Sequence, residues 1–280
     1  MCRYCGSHRT AHEAGSSGDN STDQRDKMSA AKKLEDLKAI LAESGSAVIA
    51  LSGGTDSTFL VSVAASQPGL RLLAVTVSTP YMFSSEVRDA ASFCNEVGVR
   101  HKELIAGIPL SVMSNPPDRC YLCKREIMKL ITSEARTGNY MVVFDGTNAD
   151  DLKEYRPGLK ALRESGVRSP LAETGLTKEE IRYLAREAGL EFSDRPSNTC
   201  LLTRFPHGMT INPENLRRIE EAESIVTEAG FTGARVRIHG ELARIEIRSE
   251  QFELIALSEV RMKLTKALRG LGFQYITIDA

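Results

Sequence analysis

The sequence predicts an α/β protein in which a parallel-sheet domain is joined to a smaller C-terminal α+β domain. Three observations carry that expectation. From about residue 30 to residue 200, short apolar runs of strand length alternate with longer segments of helical periodicity, the pattern of βαβ units. The first apolar run breaks into a glycine-rich turn that opens directly into a helix, an arrangement that seats ligands at the carboxyl ends of parallel strands. After Gly208 the order changes to helix, two alternating strands, helix and strand. The 280 residues suffice for two cores, and division into 30–208 and 209–280 leaves the second domain near the lower size for independent folding.

Residues 1–29 are poor in apolar side chains and read as a flexible tail. Cys2 and Cys5, with His8 and His12, could form half of a zinc knuckle, but the sequence offers no partner pair, and a plain tail is the simpler reading. A helix is expected over residues 31–44, then the strand SAVIALS. The strands RLLAVTVS and HKELIAG bracket a helix in which Val87, Ala90, Ala91, Cys94 and Val97 share one face, so Cys94 reads as a core residue. A helix over residues 120–137 leads into YMVVFDGTN, and TKEE at 177–180 is a capping box opening a further helix. In the last part Pro213 starts a helix, ARVRIHG and ELARIEIR turn about Gly240, and one long helix over 250–271 precedes FQYITIDA.

Composition narrows the function classes. Hydrophobic content of 41% with a net charge of −1 is ordinary for a soluble globular chain and gives no electrostatic case for nucleic acid. No apolar run has the length of a membrane span, and the N-terminus lacks the apolar segment of a secretion signal, so a cytoplasmic location is expected. The six cysteines are then metal ligands, catalytic thiols or core fillers rather than disulfides.

The turn lies in VIALSGGTDSTFLVSVAA. Gly53 and Gly54 let the backbone bend and a ligand approach closely, and the helix that follows presents unpaired N–H groups suited to phosphate. No Gly-Lys-Ser/Thr follows, so this is not a Walker A loop, nor does it fit G-x-G-x-x-G. Ser-Gly-Gly-x-Asp-Ser between strand and helix resembles the PP-loop of N-type ATP pyrophosphatases, which cleave ATP between its α and β phosphates. Thr55 stands where that family usually has Val. In this reading Ser52, Gly53, Gly54 and Ser57 bind phosphate and Asp56 holds Mg2+. Ser78, in TVSTP, leaves the second strand where adenine would lie, and Gly146 and Thr147, in DGTNADD, approach the same nucleotide.

NPPDRCYLCKREI places Cys120 and Cys123 at a helix start, where the dipole and the nearby Arg119, Lys124 and Arg125 are expected to favour thiolates. Cys200 follows in SDRPSNTCLLTRFPHG. A CxxC with one remote cysteine fits a 4Fe–4S cluster with one open iron; a zinc site, which wants a fourth ligand, and a redox dithiol remain competitors on spacing alone.

SGGTDS, NPPDRCYLCK, GTNADD, RPGLKALRESGVRSPL and CLLTRFPHG occur in the order and spacing of the LarE family of ATP-dependent sulfur transferases, which the chain resembles from about Leu34 to its C-terminus. The resemblance implies adenylation of a carboxylate of pyridinium-3,5-biscarboxylic acid mononucleotide and its conversion to a thiocarboxylate, in the making of a nickel-pincer cofactor. It further implies homo-oligomers and a sulfide donor. One branch of the family sacrifices a single cysteine at the position of Cys200; the other holds a 4Fe–4S cluster on three cysteines, and this chain, with Cys120, Cys123 and Cys200, is similar to that branch.

Arg204, Arg235 and Arg237 are candidates for the substrate phosphate. Arg235 and Arg237 lie two apart in a strand and so share a face; the resemblance supports these residues and sets Glu246 nearby. The main rival is a PP-loop iron–sulfur tRNA thiolase, opposed by the near-neutral charge and 6% aromatic content. An amide-forming PP-loop synthetase would leave the cysteine triplet unused, and a non-catalytic regulator would leave Asp56 without a task.

Overall fold

The computed structural model describes residues 19–194 and 199–279. The elements in chain order are α1 (Asp19–Glu43), β1 (Ser46–Ala50), α2 (Thr55–Ala65), β2 (Arg71–Ser78), α3 (Ser84–Glu96), β3 (His101–Ile105), α4 (Arg119–Thr137), β4 (Val142–Phe144), α5 (Gly158–Glu164), α6 (Pro170–Glu173) and α7 (Lys178–Glu187). They are followed by α8 (Pro213–Glu228), β5 (Arg235–His239), β6 (Leu242–Glu246), α9 (Phe252–Ala256), α10 (Ser258–Gly270) and β7 (Tyr275–Asp279). The fold is α/β, as the alternating pattern predicts.

The first sheet is all parallel in the order β3-β2-β1-β4. Alternate residues of its strands feed two separate cores, as a pleat with helices on both sides requires. Val48, Leu73, Val75 and Val143 pack against Met128, Ile131 and Ala135 of α4. Ala47, Ile49 and Phe144 face the other way, onto Leu37 and Leu41 of α1, Phe59 and Leu60 of α2 and Ile181 of α7. Cys94 is fully buried in this second core, where burial raises its thiol pKa to about 11.

The second sheet has the order β5-β6-β7, with β5 antiparallel and β7 parallel to β6. Val236, Ile238, Ala243 and Ile245 point into a core closed by Ile219, Ala222 and Val226 of α8 and by Leu264 and Leu268 of α10. That core also contains Tyr81, Phe83, Val112, Leu201, Leu202 and Phe205, so residues on both sides of position 208 share it. A further tie is Glu220 of α8, whose Oε1 accepts from the N–H and hydroxyl of Ser84 at 2.6 and 2.7 Å, capping α3 where Phe83 offers no side-chain cap.

Local signals hold where they were read. Thr177 and Glu180 form the reciprocal capping box of α7, and Pro213 is in the first turn of α8 behind an Asn212 cap. Two elements differ. α1 begins at Asp19, so residues 19–29 of the expected tail are helical; Cys2, Cys5, His8 and His12 lie outside the described residues. The expected single helix over 250–271 is broken at Leu257, whose extended backbone (φ −68°, ψ 124°) separates α9 from α10.

Candidate functional site

The glycine-rich turn joins β1 to α2 at the carboxyl end of the parallel sheet. Gly53 has φ +78°, and a Cβ there would lie 2.6 Å from the carbonyl oxygen of Glu86, so both conformation and space require glycine. Ser57 Oγ accepts from the Ser52 N–H at 3.2 Å and lies 3.1 Å from Ser52 Oγ, which folds the loop over the first turn of α2. Gly54 is the N-cap of α2 and supplies no side-chain acceptor, leaving the first amides of the helix for a ligand. Gly146 crosses this turn so closely that a Cβ would lie 2.7 Å from the Ser57 nitrogen. The expected residues Ser52, Gly53, Gly54, Asp56, Ser57, Gly146 and Thr147 therefore meet in one place. Ser78, at the end of the neighbouring strand, lines a cleft of about 380 Å³ with Thr79, Ser84, Pro213, Arg217 and Glu220.

The side chains around the loop are tightly cross-linked. Asp56 accepts from Lys178 Nζ at 2.7 Å and from Asn148 Nδ2 at 3.2 Å. Asp145, buried, accepts from Thr147 Oγ1 at 2.7 Å and Ser169 Oγ at 2.6 Å, with Lys124 Nζ at 3.9 Å. Asn148 Oδ1 takes the N–H groups of Asp150 and Asp151, fixing the turn after β4. Burial raises the Asp151 pKa, opposed by the Asn148 N–H and the Arg156 charge.

The second cluster contains the cysteines. Cys120 and Cys123 occupy the first turn and a half of α4, and Cys200 caps a short 3-10 turn over Leu201–Arg204. None of the three is in a disulfide, and the charge of Cys200 is coupled to those of both Cys123 and Cys120. Tyr81 joins them: its hydroxyl lies 3.2 Å from Cys123 Sγ, and its carbonyl accepts from the Leu201 N–H at 3.0 Å. Buried Asn115 (φ 47°) ties the approach to α4 to the same segment, donating through Nδ2 to the carbonyls of Phe205 at 3.1 Å and Pro206 at 2.9 Å.

The expectation of a favoured thiolate is corrected for Cys123, and Cys200 shares the opposite shift. Burial raises Cys200 to about 11. It also raises Cys123, against the lowering effects of the Tyr81 hydroxyl and Lys124. Desolvation dominates at both sulfurs because both pack against the core of the second sheet, and at Cys123 it outweighs the flanking cation. Among the described residues, no group of three His, Cys, Asp or Glu side chains is gathered closely enough to hold one metal ion.

The arginines expected at a phosphate divide into committed and open groups. Arg204 is buried, and its guanidinium donates to Glu223 through Nε and Nη2 at 2.6 and 2.9 Å, and to the Thr199 and Thr203 hydroxyls through Nη1. Arg237 is held by Glu246 and donates to the Thr203 carbonyl at 2.6 Å. Arg235 shares the β5 face of Arg237, and its guanidinium makes no hydrogen bond or ion pair among the described residues. Sequence reasoning missed Lys178, Asn148, Tyr81, Asn115 and Glu223. Asn148 sits inside the DGTNADD turn and Lys178 inside the capping box, but their roles come from contacts across 92 and 122 residues of chain.

A parallel sheet with a Ser-Gly-Gly-x-Asp-Ser loop and adjoining strand-end turns defines the class: a PP-loop enzyme fold. No family model matches the chain. It is 37% identical over 250 residues to an uncharacterized protein of Synechocystis, covering 88% of this chain and 93% of that one. It is 31% identical over 257 residues to the pyridinium-3,5-bisthiocarboxylic acid mononucleotide synthase of Lactiplantibacillus plantarum, covering 89% of this chain and 91% of that enzyme. It is also 27% identical over 218 residues to one component of the glutamine-hydrolyzing GMP synthase of Thermococcus kodakarensis, covering 70% of this chain and 68% of that component. The chain belongs to the LarE family, that of the Lactiplantibacillus synthase. No helix among the described residues is long and apolar enough to cross a membrane.

Proposed function

We propose that this protein is an ATP-dependent sulfur transferase that converts a carboxylate of pyridinium-3,5-biscarboxylic acid mononucleotide to a thiocarboxylate in nickel-pincer cofactor biosynthesis. The observation that carries the reading is the glycine-rich loop closed by Ser52, Ser57 and Gly146 at the end of the parallel sheet, in a chain 31% identical over 89% of its length to the Lactiplantibacillus synthase.

In this reading Ser52, Gly53, Gly54 and Ser57 seat the ATP phosphates on the first turn of α2, and Asp56 holds Mg2+. Ser78, Gly146 and Thr147 border the nucleoside. A substrate carboxylate oxygen attacks the α-phosphorus, and pyrophosphate leaves. Sulfide then adds to the acyl carbon and AMP departs, because adenylation has turned a poor leaving oxygen into a good one. In the same reading Arg235 takes the mononucleotide phosphate, with Arg237 and Glu246 beside it and Arg204 holding the Cys200 segment in register.

The CxxC with one remote cysteine suits a cluster with an open iron, and a 4Fe–4S cluster on Cys120, Cys123 and Cys200 would supply sulfide from its fourth iron for repeated turnover. A cytoplasmic setting, a separate sulfide donor and a homo-oligomeric state belong to the same proposal.

The test is anaerobic purification with iron and sulfide quantified, followed by turnover with added sulfide. Alanine at Cys120, Cys123 or Cys200 should each abolish the visible absorption and multiple turnover; an unchanged spectrum in all three variants refutes the cluster. ATP–pyrophosphate exchange should depend on the pyridinium dicarboxylate; dependence on tRNA instead would assign the chain to thiolation of a base.

A further inference from the structure

Asp56 is the one carboxylate of the glycine-rich loop, and both of its oxygens are already occupied by groups from outside the loop. Lys178 Nζ lies 2.7 Å from Oδ1, and Asn148 Nδ2 lies 3.2 Å from Oδ2. The two partners come from the start of α7 and from the turn after β4.

The main chain at Lys178 is fixed independently of this contact. Its N–H donates to Asp150 Oδ2 at 2.9 Å, and Thr177 and Glu180 close the capping box around it. The Glu180 carboxylate is gripped in turn by Lys33 of α1, at 2.7 and 2.8 Å. Ile181, Leu184 and Ala185 bury the inner face of α7. The helix therefore does not need the Asp56 contact to stay in place. With side chains 27% and 20% exposed, the Lys178–Asp56 pair is a weak contributor to folding. A cation at the first position of a helix also opposes the helix dipole. What the pair does accomplish is electrostatic: it neutralises a carboxylate at a loop shaped for anions while no other cation is present.

We infer that Lys178 is the resident counter-ion of Asp56. It yields the carboxylate to the divalent cation that accompanies ATP, and its freed ammonium then pairs with a phosphate oxygen on the same loop. Lysine suits this exchange because its charge sits on a flexible four-carbon stem with three donors, so it can change partners by rotamer changes alone. Asn148, neutral, can keep its contact with Oδ2 when the cation arrives, and so marks the oxygen that does not change partner. The inference rests on the nucleotide reading of the loop given under Proposed function.

The two partners of Lys178 make opposite predictions for two ligands. In the full chain with Lys178→Met, Mn2+ alone, followed by the electron paramagnetic resonance of the free ion, should bind about tenfold more tightly than in the wild type, because a competing charge has gone. ATP with Mg2+, followed by calorimetry, should bind about tenfold more weakly, because a phosphate contact has gone. Lys178→Arg keeps the competing charge and should bind Mn2+ as the wild type does. A wild-type chain that binds no ATP refutes the nucleotide reading itself. A wild type that binds ATP, with a Lys178→Met variant whose Mn2+ affinity is unchanged or falls along with its ATP affinity, overturns the counter-ion role and leaves that reading standing.

Discussion

The Tyr81 hydroxyl and the Cys123 sulfur stand 3.2 Å apart, while the Tyr81 carbonyl holds the residue that follows Cys200. One buried residue, just beyond the end of β2, thus touches both of the segments that carry Cys120, Cys123 and Cys200. The Tyr81 hydroxyl lowers the Cys123 pKa against the upward push of burial. Tyr81→Phe should therefore fold, lose about 1 kcal/mol of stability, and shift Cys123 ionisation to higher pH. Iodoacetamide labelling read by mass spectrometry across pH 7–11 checks this; identical Cys123 profiles in the two proteins would remove the tyrosine from the site.

Arg204 and Glu223 form a buried, doubly hydrogen-bonded pair whose carboxylate also accepts from the Val236 N–H at 2.8 Å. Glu223→Ala leaves a guanidinium uncompensated in the core of the second sheet and should cost about 3–5 kcal/mol. Replacing both partners, Arg204→Met with Glu223→Leu, should recover most of that loss. Urea unfolding of the three variants gives the comparison, and a double variant no more stable than Glu223→Ala would show that shape rather than charge dominates.

Gly146→Ala places a methyl group 2.7 Å from the Ser57 nitrogen, so the β4 turn and the PP-loop must separate. The strain is of the order of 1–3 kcal/mol, which the fold tolerates. ATP affinity should fall at least about tenfold, since the shifted atoms form the proposed phosphate seat. Calorimetric titration with Mg-ATP measures it; wild-type affinity would place the nucleotide elsewhere.

Cys94, fully buried, has a thiol pKa raised by desolvation from 9.0 to about 11. Above pH 9 the unfolded chain releases this proton and the folded chain retains it, so the unfolded state binds fewer protons and stability falls as pH rises. Between pH 9 and 11 the wild type should lose stability more steeply than Cys94→Ala, whose lower baseline reflects the small cavity. Thermal midpoints measured every half pH unit give both slopes; parallel curves would show that the thiol ionises inside the fold.

Much of this architecture is legible in the sequence because its signals are local. The apolar run before Ser52, the capping box at Thr177 and Pro213 at a helix start depend on neighbours within one or two turns, and the fold preserves each. The start of α1 at Asp19 was missed because its polar first turns carry no apolar stripe, the signal by which a tail is told from a helix. The break at Leu257 interrupts a stretch whose periodicity continues on both sides. The arginines teach a different lesson. Residue type and strand alternation correctly put Arg235 and Arg237 on one face, but the carboxylates that hold Arg204 and Arg237 are fixed only by tertiary packing. The Cys123 thiol likewise reverses expectation because desolvation is a property of the packed core, not of the CxxC spacing.

The hydrophobic core beneath the second sheet takes in Tyr81, Phe83, Leu201, Leu202 and Phe205 from the N-terminal side of the chain. Neither half can therefore drift without dragging the sulfurs along. Truncation after Gly208 would strip the lining from beneath Cys123 and Cys200, and a hinge at that point would be paralysed by shared side chains. The seam between the halves works as a keel on which Cys123 and Cys200 both rest.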